Sequence, residues 1–241
     1  DFQRRIDHRI ENAKKAIAEA VDLVGGLQGI ISRGDRVLLK PNVLAANPPE
    51  AAATTHPTVV TAMCELVHAA GGVPVVGDGA GISRPGATAK ALKTSGIEEA
   101  ARKAGAEVVN FETAGYTKVK VPDPFQFPEL YLAKPVLEAD VVISLPKLKT
   151  HELTYYTGAV KNFFGALPLN SRKEAHFLGK RDLFGEANEG SITRSGDSRS
   201  SGGCAWPNGN SHSNQKHNAA CCQPAAHDAP SFPRGLDGII P

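Results

Sequence analysis

Residues 140–144, Asp-Val-Val-Ile-Ser, form an apolar run too short for a helix, and Pro146 closes it because proline has no N–H for a ladder. A run of this kind is a strand buried on both faces, which belongs in a parallel sheet covered by helices. Similar short runs occur at 36–40, closed by Pro41, at 73–76, running into Gly77, and at 106–111. The stretches between them have helical spacing. Over residues 7–24, Ile10, Ala13, Ile17, Ala20, Val21 and Val24 recur at steps of three and four, and Gly25-Gly26 supplies the stop. Thr55-His56-Pro57 opens a second helix with Val59, Val60, Met63, Leu66, Val67 and Ala70 on its inward face. A helical stretch follows Gly81, and Ser95-Gly-Ile-Glu98 reads as a capping box for another helix ending at Gly105. Residues 116–121 alternate like a half-exposed strand or hairpin arm. A short helix falls near 135–138, and 157–167 read as one more helix. Strands alternating with helices give βαβ units with right-handed crossovers. The expected fold is α/β: a three-layer, mostly parallel sheet with helices on both faces, truncated on its C-terminal side.

Composition divides the chain in two. The whole is 41% hydrophobic with a formal net charge of +2, enough for a real core and no case for nucleic acid or membrane as partner. No apolar run approaches the roughly eighteen residues that span a bilayer. The first residues, Asp1-Phe2-Gln3-Arg4-Arg5, include neither an initiator Met nor a signal-peptide core, so the chain reads as a fragment of a cytoplasmic protein. Residues 1–186 carry the incomplete α/β domain. From 187 to 241 Ser, Gly, Asn, Pro and His dominate, and the large apolar residues beyond Gly190 are Ile192, Trp206, Phe232, Leu236, Ile239 and Ile240. Those are too few to offset the ordering entropy. This segment reads as a disordered or out-of-frame tail. It holds Cys204, Cys221 and Cys222, without the paired C-x-x-C spacing of a zinc site.

Four polar clusters follow the expected strands or open a helix: Lys40-Pro41-Asn42, Gly77-Asp78-Gly79-Ala80-Gly81, Thr55-His56, and Lys147-Leu148-Lys149-Thr150-His151-Glu152. In open parallel sheets the ligand crevice lies outside the carboxyl ends of the strands, so these clusters should converge there as a cationic hollow. Lys40, Asn42, His56, Lys147, Lys149, Thr150, Lys161 and Asn162 are candidate substrate-binding residues. Gly77 and Gly79 are candidates for bringing backbone N–H groups close to an anion. His151 and Asp78 are the candidate catalytic pair, in proton transfer or as ligands of a divalent metal. The glycine loop fits neither G-x-G-x-x-G nor the Walker pattern. Ser144 lacks a G-x-S-x-G elbow, and Cys64 sits on a helix as a packing residue. Arg172, Lys173, Glu174 and His176 read as charged surface.

In order along the chain, Lys40-Pro-Asn-Val43, Thr54-Thr-His-Pro57, Val76-Gly-Asp-Gly-Ala-Gly81, Asp140-Val-Val-Ile-Ser-Leu-Pro-Lys-Leu-Lys-Thr-His151 and Gly158-Ala-Val-Lys-Asn-Phe-Phe-Gly165 resemble Domain of Unknown Function family 362. The likeness covers roughly residues 15–182. It implies a cytoplasmic-type α/β domain and a redox setting, since members of that family are often joined to or encoded with ferredoxin-like 4Fe–4S modules. This chain has no C-x₂-C-x₂-C-x₃-C run, so a 4Fe–4S cluster would come only through a ferredoxin-like partner or a missing module. The expected function is an enzyme acting on a small anionic molecule bearing phosphate or carboxylate, metal-assisted or redox-linked. Two alternatives stand beside it: a non-catalytic carrier of a metal, iron–sulfur cluster or metabolite, and an inactive truncated gene product. Substrate, metal and oligomeric state are not readable from the sequence.

Overall fold

A computed structural model of the chain describes residues 2–81, 84–121, 127–151 and 155–177. The tail expected from 187 onward, its three cysteines and Glu152 lie outside the described residues. The chain enters with α1 (Phe2–Leu23), then β1 (Arg36–Pro41), α2 (Pro57–Ala69) and β2 (Val73–Asp78). Next come α3 (Ala87–Thr94), α4 (Ile97–Lys103), β3 (Glu107–Asn110) and the one-turn α5 (Phe111–Ala114). After β4 (Tyr116–Lys120), β5 (Glu129–Ala133) and α6 (Lys134–Glu138), β6 (Val141–Leu145) returns to the centre. The described chain ends with β7 (Lys149–His151), β8 (Tyr155–Thr157), α7 (Ala159–Asn162), a 3-10 turn at Phe163–Ala166, and α8 (Leu169–Phe177).

The main sheet is parallel, in the order β3-β2-β1-β6. Val37, Leu38 and Leu39 are at most 1% exposed, as a strand flanked on both edges and covered on both faces requires. Period-two alternation assigns them to two cores. Val37 and Leu39 pack with Val60, Met63, Val67, Val76 and Ile97 beneath α1, α2 and α4, while Leu38 packs with Val75, Phe111, Leu132, Val136 and Phe164 on the opposite face. Three layers are present, but their two covers differ. Long helices cover one face; the short helices α5 and α6, the β4–β5 hairpin and the 163–167 segment cover the other.

The strand order also places the site. From β1 the chain steps outward to β2 and β3, then returns to add β6 on the other side of β1. The chain leaves β1 toward β2 but comes to β6 from β3, which makes the carboxyl ends of β1 and β6 the switch point, the place where open parallel sheets set their ligands.

Three local expectations are corrected. Residues 157–167 are not one helix: Thr157 ends β8, α7 makes a single turn, and the backbone then tightens into the 3-10 turn. Asn162 gives its carbonyl to the Lys40 ammonium (2.5 Å), which takes that acceptor from the helix ladder. Residues 149–151, expected only as a polar cluster after a strand, pair with 155–157 as an antiparallel ribbon. Ser95 does not cap α4. It ends α3, donating its hydroxyl to Leu92 O (3.2 Å), and Gly96, at φ +72°, starts α4.

Candidate functional site

Lys40 is the last side chain of β1 to point at the Leu38 face before Pro41, and it has 0% exposure there. An ammonium in that position needs a counter-charge, because desolvation otherwise costs several kcal/mol. Asp78, at the end of the neighbouring β2, supplies it at 2.5 Å. The second carboxylate oxygen of Asp78 accepts the Val43 amide (2.9 Å), so both oxygens are engaged. Burial pulls the Lys40 pKa down, and Asp78 opposes it. Asp78, a candidate for catalysis, thus fixes the Lys40 amine at the strand ends.

Asn162 ties the ends of β1 and β6 together. Its amide nitrogen donates to the Lys40 carbonyl (2.8 Å) and to Ser144 Oγ (3.0 Å), while its own backbone carbonyl accepts the Lys40 ammonium. Asn42 Nδ2 lies 3.4 Å from Asn162 Oδ1, and Asn42 Oδ1 accepts the Lys149 ammonium (2.9 Å). Lys149 also donates to the Ala53 carbonyl. Thr55 holds the intervening loop, accepting the Asn42 amide (2.8 Å) and donating to Leu145 O at the end of β6 (2.6 Å). Lys40, Asn42, Asp78, Lys149 and Asn162 thus meet through direct hydrogen bonds.

Lys161 joins them from α7, 5.9 Å above the ring of Phe164. Burial, followed by the charges of Lys149 and Lys40, lowers its pKa from 10.5 to about 8. Burial and then Lys147 push the Lys149 pKa down as well. Three amines therefore share a partly desolvated space with one carboxylate. Arg172 adds a fourth cation: it is 1% exposed and donates from Nη1 to Gly79 O (3.2 Å) and to Ala80 O. The expectation of charged surface fails for this residue, whose charge is anchored beneath the Asp78 loop. Among the described residues, the hydroxyls of Thr54 and Thr157 are buried without a hydrogen-bond partner. Thr54 follows Ala53, and Thr157 is the register partner of Lys149.

The remaining candidates are placed as follows by their own elements. His56 is exposed and caps α2, its Nδ1 accepting the Thr58 amide (3.2 Å), while Thr55 is occupied elsewhere. Gly77 is not a loop glycine. It pairs with Val109 inside β2, and a Cβ there would meet the Phe111 ring at 2.7 Å. Gly79 is a close-approach position, where a Cβ would stand 2.6 Å from Gly165 O. At both positions an added side chain would collide with neighbouring atoms. Thr150 is exposed, in register with Tyr156, Lys147 is half-buried, and His151 ends β7 half-buried, two residues beyond Lys149. Cys64 is packing as expected, its thiol pushed up to about 12 chiefly by burial. Among the described residues no three His, Cys, Asp or Glu side chains gather closely enough to hold a metal ion. None of their helices is long and apolar enough to cross a membrane.

Sequence reasoning missed Thr55 as a tie, Ser144 as an acceptor, Gly165 and Arg172. The glycine signal was available: a Cβ on Gly165 would lie 2.5 Å from Asp78 Oδ1 and 2.9 Å from Lys40 Nζ, so the backbone at that position must be bare.

Residues 37–219 match the profile of a family described as domain of unknown function (DUF362), a match that takes in the start of the segment set apart on composition at 187. A thylakoid-associated protein of Synechocystis sp. is 36% identical over 165 residues, 68% of this chain and 49% of that protein. The chain thus spans about half the length of the curated relative it matches.

Proposed function

The chain belongs to the DUF362 family, and on that footing we propose that its switch-point crevice binds a small anionic molecule bearing a carboxylate or phosphate, as the substrate of an enzyme. The observation that carries this reading is the charge imbalance at the strand ends. Lys40, Lys149, Lys161 and Arg172 gather near the strand ends, Asp78 is hydrogen-bonded to Lys40, and the charges of Lys149 and Lys40 depress the protonation of Lys161. Cations crowded against their own repulsion in a partly dry cleft are stabilised by an incoming anion. The buried hydroxyls of Thr54 and Thr157 give further polar atoms for its oxygens beside Lys149.

Thermal unfolding at constant ionic strength tests the reading, with inorganic phosphate and pyruvate as probes against chloride. At least one probe should raise the melting temperature in a saturable way, and Lys149→Ala should remove the shift. If neither probe stabilises the protein beyond chloride, the crevice is not an anion site.

A further inference from the structure

Resting in part on that reading, we propose that residues 44–53 form a lid at the carboxyl ends of β1 and β6, latched by Lys149 and released when an anion takes over that ammonium. The segment is fixed at its two roots. Before it, Val43 is 0% exposed and donates its amide to Asp78. After it, Thr54 and Thr55 are each 2% exposed, and Thr55 bonds both the Asn42 amide and Leu145 O. Between the roots the chain stands out from the body. Leu44, Ala46, Pro48, Glu50, Ala51 and Ala52 are exposed, and the backbone bonds made there close on themselves: Asn47 N to Ala45 O (2.8 Å), Ala51 N to Pro48 O (3.1 Å) and Ala52 N to Pro49 O (3.0 Å).

Two hinges flank this unit. Leu44 (φ +45°) and Ala52 (φ +51°) are, among the described residues, the non-glycine residues in the left-handed region. A side chain there is strained, and such residues collect at clamps and switches. Among the described residues, the hydrogen bond that ties 45–53 to another element runs from the Lys149 ammonium to Ala53 O. The same ammonium reaches Asn42 Oδ1 at the first root (2.9 Å), so one side chain from β7 spans both ends of the lid. The closed form also leaves polar atoms unmet. Thr54 Oγ1, next to the latched carbonyl, and Thr157 Oγ1, in register with Lys149, are buried without a hydrogen-bond partner. Strain at both hinges, two unmet hydroxyls and one polar tie bring the closed state near an open one in free energy. An anion that draws Lys149 away from Ala53 O releases the tie.

Native-state proteolysis of the full chain tests this, because Glu50 is the one acidic residue of the segment and a glutamate-specific protease needs backbone that has left its fold. Cleavage after Glu50 should precede other cuts, and its rate should scarcely change with urea well below the unfolding midpoint, since a local opening exposes little surface. Lys149→Met should speed that cut about tenfold, as loss of a hydrogen bond from a charged donor would. Lys103→Met, on a side chain 75% exposed on α4, should leave it unchanged. Inorganic phosphate at constant ionic strength should speed the cut in the native protein and have no effect in Lys149→Met. Cleavage that climbs steeply with urea from the outset, or proceeds at native speed in Lys149→Met, overturns the lid. The urea series uses the unsubstituted protein, so it decides even if the variant does not fold. Phosphate that raises the melting temperature without changing the cut overturns the release by anion and leaves the anion site standing. A faster cut in Lys149→Met, with neither phosphate nor pyruvate stabilising the protein, keeps the latch and removes the anion reading.

Discussion

Strand β1 carries a cation at each end, and the two ends are opposites. At its amino end Arg36 pairs with Glu107 at 2.9 Å, with side chains 38% and 54% exposed. At its carboxyl end Lys40 pairs with Asp78 at 2.5 Å, with exposures of 0% and 3%. The contacts look alike in a distance table but differ in what surrounds them. The outer pair is screened by water and is worth ~0–1 kcal/mol. The inner pair has given up its hydration, so each partner depends on the other to avoid a bare buried charge. One is ordinary strand-edge solvation. The other is the base on which a site is built, and the fold spends stability there to keep an amine dry.

The largest effect should come from removing one partner at each end. Asp78→Ala is expected to lower unfolding stability in urea by about 3–5 kcal/mol, and Glu107→Ala by less than ~1 kcal/mol. Equal losses would erase the distinction. Next in size is the pH dependence. The folded value for Lys161 is about 8, below its ordinary 10.5, so the unfolded chain binds the extra proton and stability rises with pH between these values. The penalty is fully present below pH 8 and gone above pH 10.5, a span of about 3 kcal/mol. Lys149, lowered too, adds in the same sense. Denaturant midpoints measured across that window should climb in the native protein, climb less in Lys161→Gln, and keep the native slope in Arg36→Gln. A flat native profile would place the lysines in water. The smallest effect concerns bare backbone. Gly165→Ala drives a methyl into Asp78 and Lys40 and should cost about 1–3 kcal/mol. Gly29→Ala, in open space on the way into β1, should stay within ~0.5 kcal/mol by the same measurement.

Much of the frame was legible because burial leaves a periodic trace. The four sheet strands were expected at 36–40, 73–76, 106–111 and 140–144 and appear within a few residues of those bounds. The hairpin arm at 116–121 appears as β4, and the polar corners Lys40, Asn42, Asp78, Lys149 and Asn162 do meet. Most of what failed shares one cause. The 157–167 helix, the Ser95 cap, the Gly77 loop and the Arg172 surface were all judged from local neighbours. In three of them a residue far along the chain took the decisive hydrogen bond or space: Lys40 for the Asn162 carbonyl, Phe111 for the room beside Gly77, the Ala80 carbonyl for Arg172. The Ser95 hydroxyl turned backward to Leu92 instead.

The sequence by itself determined that this chain builds a parallel sheet and that its polar residues gather at strand ends, because apolar periodicity and proline or glycine stops act within a few residues. The strand order alone placed β6 beside β1 and set the switch point there. Which carboxylate answers which amine, and which lysine is crowded, was also decided only in three dimensions, since charge energies depend on burial and on distances between residues well separated along the chain, such as Lys40 and Asp78.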